Sequence, residues 1–341
     1  MSQPEYESEE IGHFSSDDNG DIYLDQRFKT YFISPDPRFI GYDLHTGFDS
    51  HEADDYKPWD HDLRLILQWI VQKKPLLHGI EFVTRRKLLT KISLTPCTYQ
   101  NHKWSIIAVY FEGKYYLSEK ESVYVTQDPK RDYQGFNFER IATSTTVGGM
   151  PDTEGRVRSG EVYCHVLKGQ LNCSAERKHT MLFCAETDCC DENEKAVELK
   201  THIFSQNRKI PNPMWFTVKN WWLQAKFGGI NNMVIGYITP EGDEMRLTSI
   251  IQKTSEELFK ECGPPSATEQ GAGQGGWDKK CFNYLAEFLS EVKRQVTADQ
   301  PCALFTYSGS GNFQYRPLNP EEHPLPRWYT EAYGEDREDN F

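Results

Sequence analysis

The stretch from Met181 to Ile203 constrains the chain most, because it sets charged residues two positions apart among apolar ones. Met181 to Cys189 and Lys195 to Ile203 read as two strands joined by a polar turn, Cys190 to Glu194. Strand side chains alternate between faces, so Glu186 and Asp188 share one face, and Glu198 and Lys200 share one face of the partner. Three carboxylates and an amine are thereby gathered beside Phe183, Cys184, Ala185, Val197 and Leu199, a setting that suggests a site entering a core. Like charges held that close are costly unless cations neutralise them, and hard oxygen ligands of this kind select Mg2+ or Mn2+. A salt-bridge ladder on a solvated sheet face is the competing reading of the same four residues.

The remaining patterns set the fold class. Leu63, Ile66, Leu67, Trp69 and Ile70 recur at helical spacing before Lys73 and Lys74, which suit a helix C-terminus. Met214 to Lys226 and Trp277 to Val296 read as further helices with aromatic and aliphatic stripes. Trp104 to Phe111 and Lys114 to Leu117 flank the turn residues Glu112 and Gly113, and Met233 to Ile238 and Glu244 to Gln252 flank Pro240 to Asp243, so two hairpins are predicted, with more strand-like segments between them. Cys302 to Tyr307 reads as a last strand, and the Gly-, Pro- and Gln-rich residues 263–276 as a surface loop. No regular βαβ rhythm links these elements. The chain is therefore expected to be mixed α/β, of α+β type, with antiparallel and mixed sheets flanked by helices. Residues 1–20 and 334–341 are strongly acidic with few apolar anchors and are expected to lie outside a single domain spanning 21–333.

A formal net charge of −13 argues against a generic nucleic-acid coat, so a polyanionic partner must meet a local patch. Arg85, Arg86, Lys87 and Lys91 could supply one. No apolar run is long enough to span a membrane, and the first residues lack the basic start and apolar stretch of a secretory signal. Nine cysteines without regular spacing fit a reducing compartment, so the nucleus or cytosol is the expected location.

Hydrolysing a phosphodiester or pyrophosphate requires an activated water and stabilisation of developing charge, and carboxylate-held divalent ions can do both. Lys200 beside them could orient the water or stabilise that charge. A carboxylate followed about ten positions later by Glu-x-Lys on a neighbouring strand resembles the PD-(D/E)xK nuclease superfamily. The triplet alone is not specific, since Glu112 to Lys114, Asp128 to Lys130 and Asp278 to Lys280 carry it too. Tyr133 to Glu139, with a carboxylate after two alternating aromatics, and Trp221 to Gln224, with an amide beside packed aromatics, are further candidate contributors.

Taken together these segments resemble the eukaryotic decapping exoribonuclease family of the DXO type, which includes partner proteins of the nuclear 5′–3′ exoribonuclease. The resemblance runs in order through Tyr42-Asp43-Leu44, Phe82 to Arg86, Gly135 to Glu139, Glu186-Thr187-Asp188, Val197 to Thr201, Trp221 to Gln224 and Trp328-Tyr329. It implies a bilobal sheet fold with the site in a cleft. It also implies that Glu186, Asp188, Glu198 and the Leu199 carbonyl bind divalent ions, expected as a pair, with Glu139 contributing directly or through water. Lys200 and Gln224 would contact the scissile phosphate or attacking water, and Arg86 would hold RNA phosphate. The implied substrates are RNA 5′ ends bearing a triphosphate, an unmethylated cap or a nicotinamide-dinucleotide (NAD) cap, with 5′–3′ exoribonuclease activity in some members. The sequence departs from the family pattern at Arg85, which stands where a tryptophan is usual, and at Lys87, where a small residue is usual; both bear on substrate preference. An inactive relative that binds RNA ends or partners an exonuclease is the alternative, and a DNA nuclease of the wider superfamily a third reading.

Overall fold

Both hairpins expected from turn chemistry form in the computed structural model, and each seeds a different sheet. Trp104–Phe111 and Lys114–Glu119 close over Glu112 and Gly113, whose φ angles of 47° and 75° are left-handed. Such a two-residue turn matches the natural twist of its arms. Asn232–Glu241 and Glu244–Thr254 close over Gly242 and Asp243, so the first arm extends through Pro240 and Glu241, which were expected in the turn.

The structure describes residues 4–33, 39–48, 63–73, 77–98, 102–120, 128–157, 159–174, 177–203, 213–262, 276–319, 322 and 325–334. The loop expected at 263–276 falls outside them except for Gly276, as do Lys74 and residues 335–341 of the acidic C-terminal segment.

The strands are β1 (Glu5–Ser16), β2 (Ile22–Tyr23), β3 (Tyr31–Phe32), β4 (Phe82–Arg85), β5 (Trp104–Phe111), β6 (Lys114–Glu119), β7 (Thr143–Ser144), β8 (Val162–Asn172), β9 (Lys178–Glu186), β10 (Cys189–Cys190), β11 (Ala196–Ile203), β12 (Asn232–Glu241), β13 (Glu244–Thr254), β14 (Cys302–Tyr307) and β15 (Gln314–Pro317). The helices are α1 (Arg64–Gln72), α2 (Arg86–Leu94), α3 (Pro129–Ala142), α4 (Pro213–Gly228), α5 (Ser255–Glu261), α6 (Trp277–Gln295) and α7 (Arg327–Gly334). One sheet has nine strands in the order β15-β14-β5-β6-β4-β9-β8-β1-β2, parallel where β4 meets β6 and β9. The other has six, β13-β12-β11-β10-β3-β7, parallel at β11/β12 and β10/β3. The fold is thus the mixed α+β class expected.

Helices cover both faces of the nine-stranded sheet, which is why its central strands read as nearly unbroken apolar runs. Phe82, Met181 and Phe183 pack towards α2, α4 and α6, while Val83, Val166 and Leu182 pack towards α1 and α7. A smaller third core, with Leu44, Phe138, Leu199, Val234 and Leu247, lies between the six-stranded sheet and α3.

Three expectations need correction. The acidic N-terminal segment is not outside the core: residues 5–16 form β1, registered along β8 from Glu5↔Asn172 to Ser16↔Val162. Tyr6 and Phe14 point inward while Glu5, Glu7 and Glu9 face solvent, so alternation outweighs the charge count. Gly12 sits at a bulge in this strand, where a Cβ would come within 2.8 Å of the Trp69 ring.

The second correction concerns α3, which lies where strand-like segments were expected between the two hairpins. The alternating aromatics of Tyr133 to Glu139 lie on a helix, opened by Asp128 accepting from the Arg131 N–H and by Pro129 in the first turn.

The third concerns Met181 to Ile203, which is not one hairpin. β9 ends at Glu186, and Cys189–Cys190 already belongs to the other sheet, paired with Val197 and Ala196. Thr187 and Asp188 carry the chain across. The Thr187 N–H donates to Tyr163 O at 2.9 Å on the first side, and Thr30 Oγ1 donates to Asp188 O at 2.9 Å on the second.

Candidate active site

The crossing between sheets is where the charged residues meet. Glu186 closes β9, opposite Cys164 of β8, and Asp188 follows within the crossing. Asp188 Oδ2 accepts the Leu199 N–H at 2.7 Å. In an extended strand the N–H and C=O of one residue emerge on the same edge. β10 pairs with β11 only as far as Val197, so the Leu199 carbonyl opens on the edge that faces Asp188. The other edge of β11 is occupied by β12, with Leu199 opposite Val234.

Glu198 and Lys200 share a face of β11, as alternation requires. Glu198 is 1% exposed and is gripped from two sides, by Lys200 Nζ at 2.5 Å on Oε1 and by Arg86 Nη1 at 2.9 Å on Oε2. Arg86 is the first residue of α2, directly after β4, so the strand-to-helix junction aims its guanidinium into the crossing. α4 closes over it: a Cβ at Gly228 would stand 3.2 Å from Arg86 Nη1. Gln224 lies one helical turn before Gly228 and so occupies the same side of α4. Glu139 of α3 lines, with Arg131, Leu199, Lys200 and Thr201, a cleft of about 270 Å³.

The carboxylates divide electrostatically. Burial would raise Glu198, but Arg86 and Lys200 outweigh it and hold the carboxyl down at about 2. Burial and then the charge of Asp188 push Glu186 up to about 7, although its side chain still meets solvent, which screens part of that repulsion. Asp188 rises to about 6, through burial and then the Glu198 charge, against the opposing pull of Lys200 and the Leu199 N–H. Glu139 is raised well above the usual carboxylate range by burial and by Asp188 and Glu186. Burial disfavours the Lys200 and Arg86 cations, yet Glu198 and Asp188 more than offset it and raise both.

Among the described residues no three His, Cys, Asp and Glu side chains form a closed ion cage. Glu198 turns to Arg86 and Lys200 instead, and those cations only partly offset the crowding of Glu139, Glu186 and Asp188, whose pKa values stay raised. Partly compensated hard oxygens at a strand end, in the crossing and on α3 fit a divalent cation, the most concentrated positive charge that could join them.

The structure therefore brings Glu186, Asp188, Glu198, Lys200 and Arg86 to one crossing, with Glu139 and the Leu199 carbonyl on its open edge and Gln224 on the covering helix. It does not assemble the basic run into one patch. Arg86 is engaged by Glu198, Lys91 pairs with Glu119, and Arg85 lies on β4 across from Cys184. Two bordering residues were not singled out from the sequence. His202 continues the alternation from Glu198 and Lys200, a signal that could have found it; Arg131 was reachable only once α3 was known to be a helix.

Comparison with known proteins agrees with this geometry. The family model described as "RAI1 like PD-(D/E)XK nuclease" matches residues 6–330. The decapping and exoribonuclease protein of Xenopus laevis is 27% identical over 363 residues, covering 95% of this chain and 85% of the relative. Among solved structures, Scheffersomyces stipitis Rai1 in complex with (3′-NADP)+ and calcium superposes with a TM-score of 0.77 at 18% identity, covering 98% of this chain and 96% of the other. Candida albicans Rai1 in complex with pU5-Mn2+ gives 0.76 at 16% identity, covering 97% and 96%. With 325 consecutive positions spanned by the model and every candidate site residue inside them, the chain belongs to the RAI1-like PD-(D/E)XK nuclease family.

Proposed function

We propose that this chain is a divalent-metal-dependent hydrolase of RNA 5′ ends, removing defective or non-standard ends such as triphosphates, unmethylated caps and NAD-type caps. The observation that carries the reading is the crossing itself: Glu186 and Asp188 with pKa values raised by burial and by their carboxylate neighbours, set against Glu198 and Lys200 on the facing strand. The names and ligands of the relatives support it, with a decapping exoribonuclease in one case, a phosphorylated nicotinamide dinucleotide with calcium in another, and pU5 with Mn2+ in a third.

In this reading Glu186, Asp188, Glu198 and the Leu199 carbonyl hold the ions, Mg2+ or Mn2+ and expected as two, with Glu139 at their edge. Such ions supply Lewis acidity and a more acidic water. The chain's own groups do the rest. Lys200 and Gln224 orient the attacking water and the scissile phosphate, and Lys200 offsets the charge that develops as the phosphorus is attacked. Arg86, once relieved of Glu198, is free to hold a substrate phosphate. Exoribonuclease activity, a nuclear 5′–3′ exoribonuclease partner and a nuclear location, extending to the cytoplasm, complete the proposal.

The test is direct. Full-length protein incubated with Mn2+ or Mg2+ should release 5′ ends from RNAs bearing a triphosphate, an unmethylated cap or an NAD cap, and Asp188→Asn should lower the rate by roughly a thousandfold or more. Inactivity on every such RNA, or an Asp188→Asn variant with full activity, overturns the proposal.

A further inference from the structure

β11 continues past Lys200 with the same alternation, which places His202 on the face that carries Glu198 and Lys200. The imidazole is partly exposed and stands nearly perpendicular to Trp221 of α4 and to Tyr237 of β12, with ring centroids 5.9 Å away in both cases. Two aromatic neighbours at right angles fix the ring in one orientation while it keeps contact with solvent. Across the open edge of β11, Arg131 in the first turn of α3 is exposed and lines the same cleft as Glu139 and Lys200. It makes no ion pair with another described residue, in a chain of net charge −13 where most cations beside the site are already engaged. Its charge reaches the His202 ring: burial lowers the imidazole pKa and Arg131 lowers it further.

A fixed ring and a guanidinium that no described residue pairs with, flanking one phosphate site, are what single-stranded nucleic acid needs, a surface for a base and a cation for the adjoining phosphate. We propose that His202 and Arg131 form a nucleotide subsite beside the scissile phosphate, the imidazole stacking on the base and the guanidinium holding that nucleotide's phosphate. The subsite rests on the reading of the chain as an RNA 5′-end hydrolase and assigns it a grip on the RNA outside the ion-binding carboxylates. It recognises the nucleotide by its ring face and phosphate, and so discriminates little between bases.

Steady-state cleavage of a 5′-triphosphate RNA, together with anisotropy binding of a fluorescent single-stranded RNA, tests this in the full chain with Mn2+. His202→Ala should raise KM and Kd roughly tenfold, the size of one lost base stack. Its kcat should stay near that of the parent, and His202→Phe should restore both constants. Arg131→Gln should weaken binding and flatten the dependence of log Kd on log salt by roughly 0.7, one phosphate contact on a single strand. Unchanged KM, Kd and salt slope in both variants of an active enzyme overturn the subsite alone. A parent protein that neither cleaves nor binds RNA overturns the subsite together with the proposed function. Loss of binding in His202→Ala that His202→Phe does not rescue, in a protein with unaltered melting, overturns the stacking role.

Discussion

The two sides of the crossing treat the same chemical group in opposite ways. On β11, Glu198 is buried between Arg86 and Lys200 and is held ionised, its pKa at about 2. At the end of β9, Glu186 has no such cations on it and rises to about 7, with Asp188 close behind at about 6. In the ion-free chain one side is a closed ion network that contributes to the fold, and the other is an unfinished one that stores repulsion. A hydrolytic centre needs both. The first fixes β11 and Lys200 in place, and the second keeps open a demand for positive charge that protons meet in acid and an added ion meets at higher pH.

The largest break in this contrast comes from removing a cation on the finished side. Arg86→Met leaves Glu198 buried with one partner instead of two, and should cost about 3 kcal/mol of stability, read as a lower denaturant midpoint at unchanged slope. A midpoint within error of the parent would mean that Lys200 alone neutralises Glu198. A smaller effect is expected from Gly236→Ala. A Cβ there would lie 2.8 Å from the buried Phe138 ring, whose neighbour Glu139 borders the cleft, so Phe138 and α3 with it shift away from β12. The expected loss is about 2 kcal/mol, with a drop in activity that outlasts compensation for stability, because Glu139 and Lys200 part. Unaltered activity at equal stability would show that Glu139 is dispensable to the unfinished side.

How much of this was legible in the sequence follows the range of each interaction. Period-two alternation is local, so Glu198 and Lys200 were correctly placed on one face, and the turn residues Glu112-Gly113 correctly set the register of their hairpin. Helices α1 and α6, with strong apolar stripes, and α4, apolar on most sides, were equally plain. The failures were where a tertiary partner decides. Thr187 and Asp188 leave one sheet for another because Tyr163 and Thr30 are waiting on either side, which no local pattern encodes. β1 was masked by its own glutamates, although Tyr6 and Phe14 carried the alternation. Arg86 was legible as a basic residue, but its partner lies 112 positions away.

The finest test of the contrast uses pH and added ions, because the two sides respond with opposite sign. Glu186 and Asp188 bind protons more readily in the folded chain than at their ordinary values of 4.5 and 3.8. Their contribution to stability is fully present in acid and is lost as pH rises through their folded values of about 7 and about 6. Glu198 is depressed from 4.5 to about 2, so its contribution is present above the ordinary value and lost only as pH falls through the folded one. Across pH 5 to 7.5, then, the β9 carboxylates and Glu139 should lower the melting temperature of the ion-free protein as pH rises, against the opposite push of His102, His165, His179 and His202, whose pKa values burial lowers. Mn2+ competes with protons for the same oxygens, so it should raise the melting temperature more at the upper end of that range than at the lower. Glu186→Gln should flatten the ion-free slope and shrink the Mn2+ response, whereas Glu241→Gln, on an exposed hairpin arm far from the crossing, should do neither. Equal Mn2+ shifts at both ends of the range would show that the carboxylates at the crossing carry no uncompensated charge, and the distinction between its two sides would fall with them.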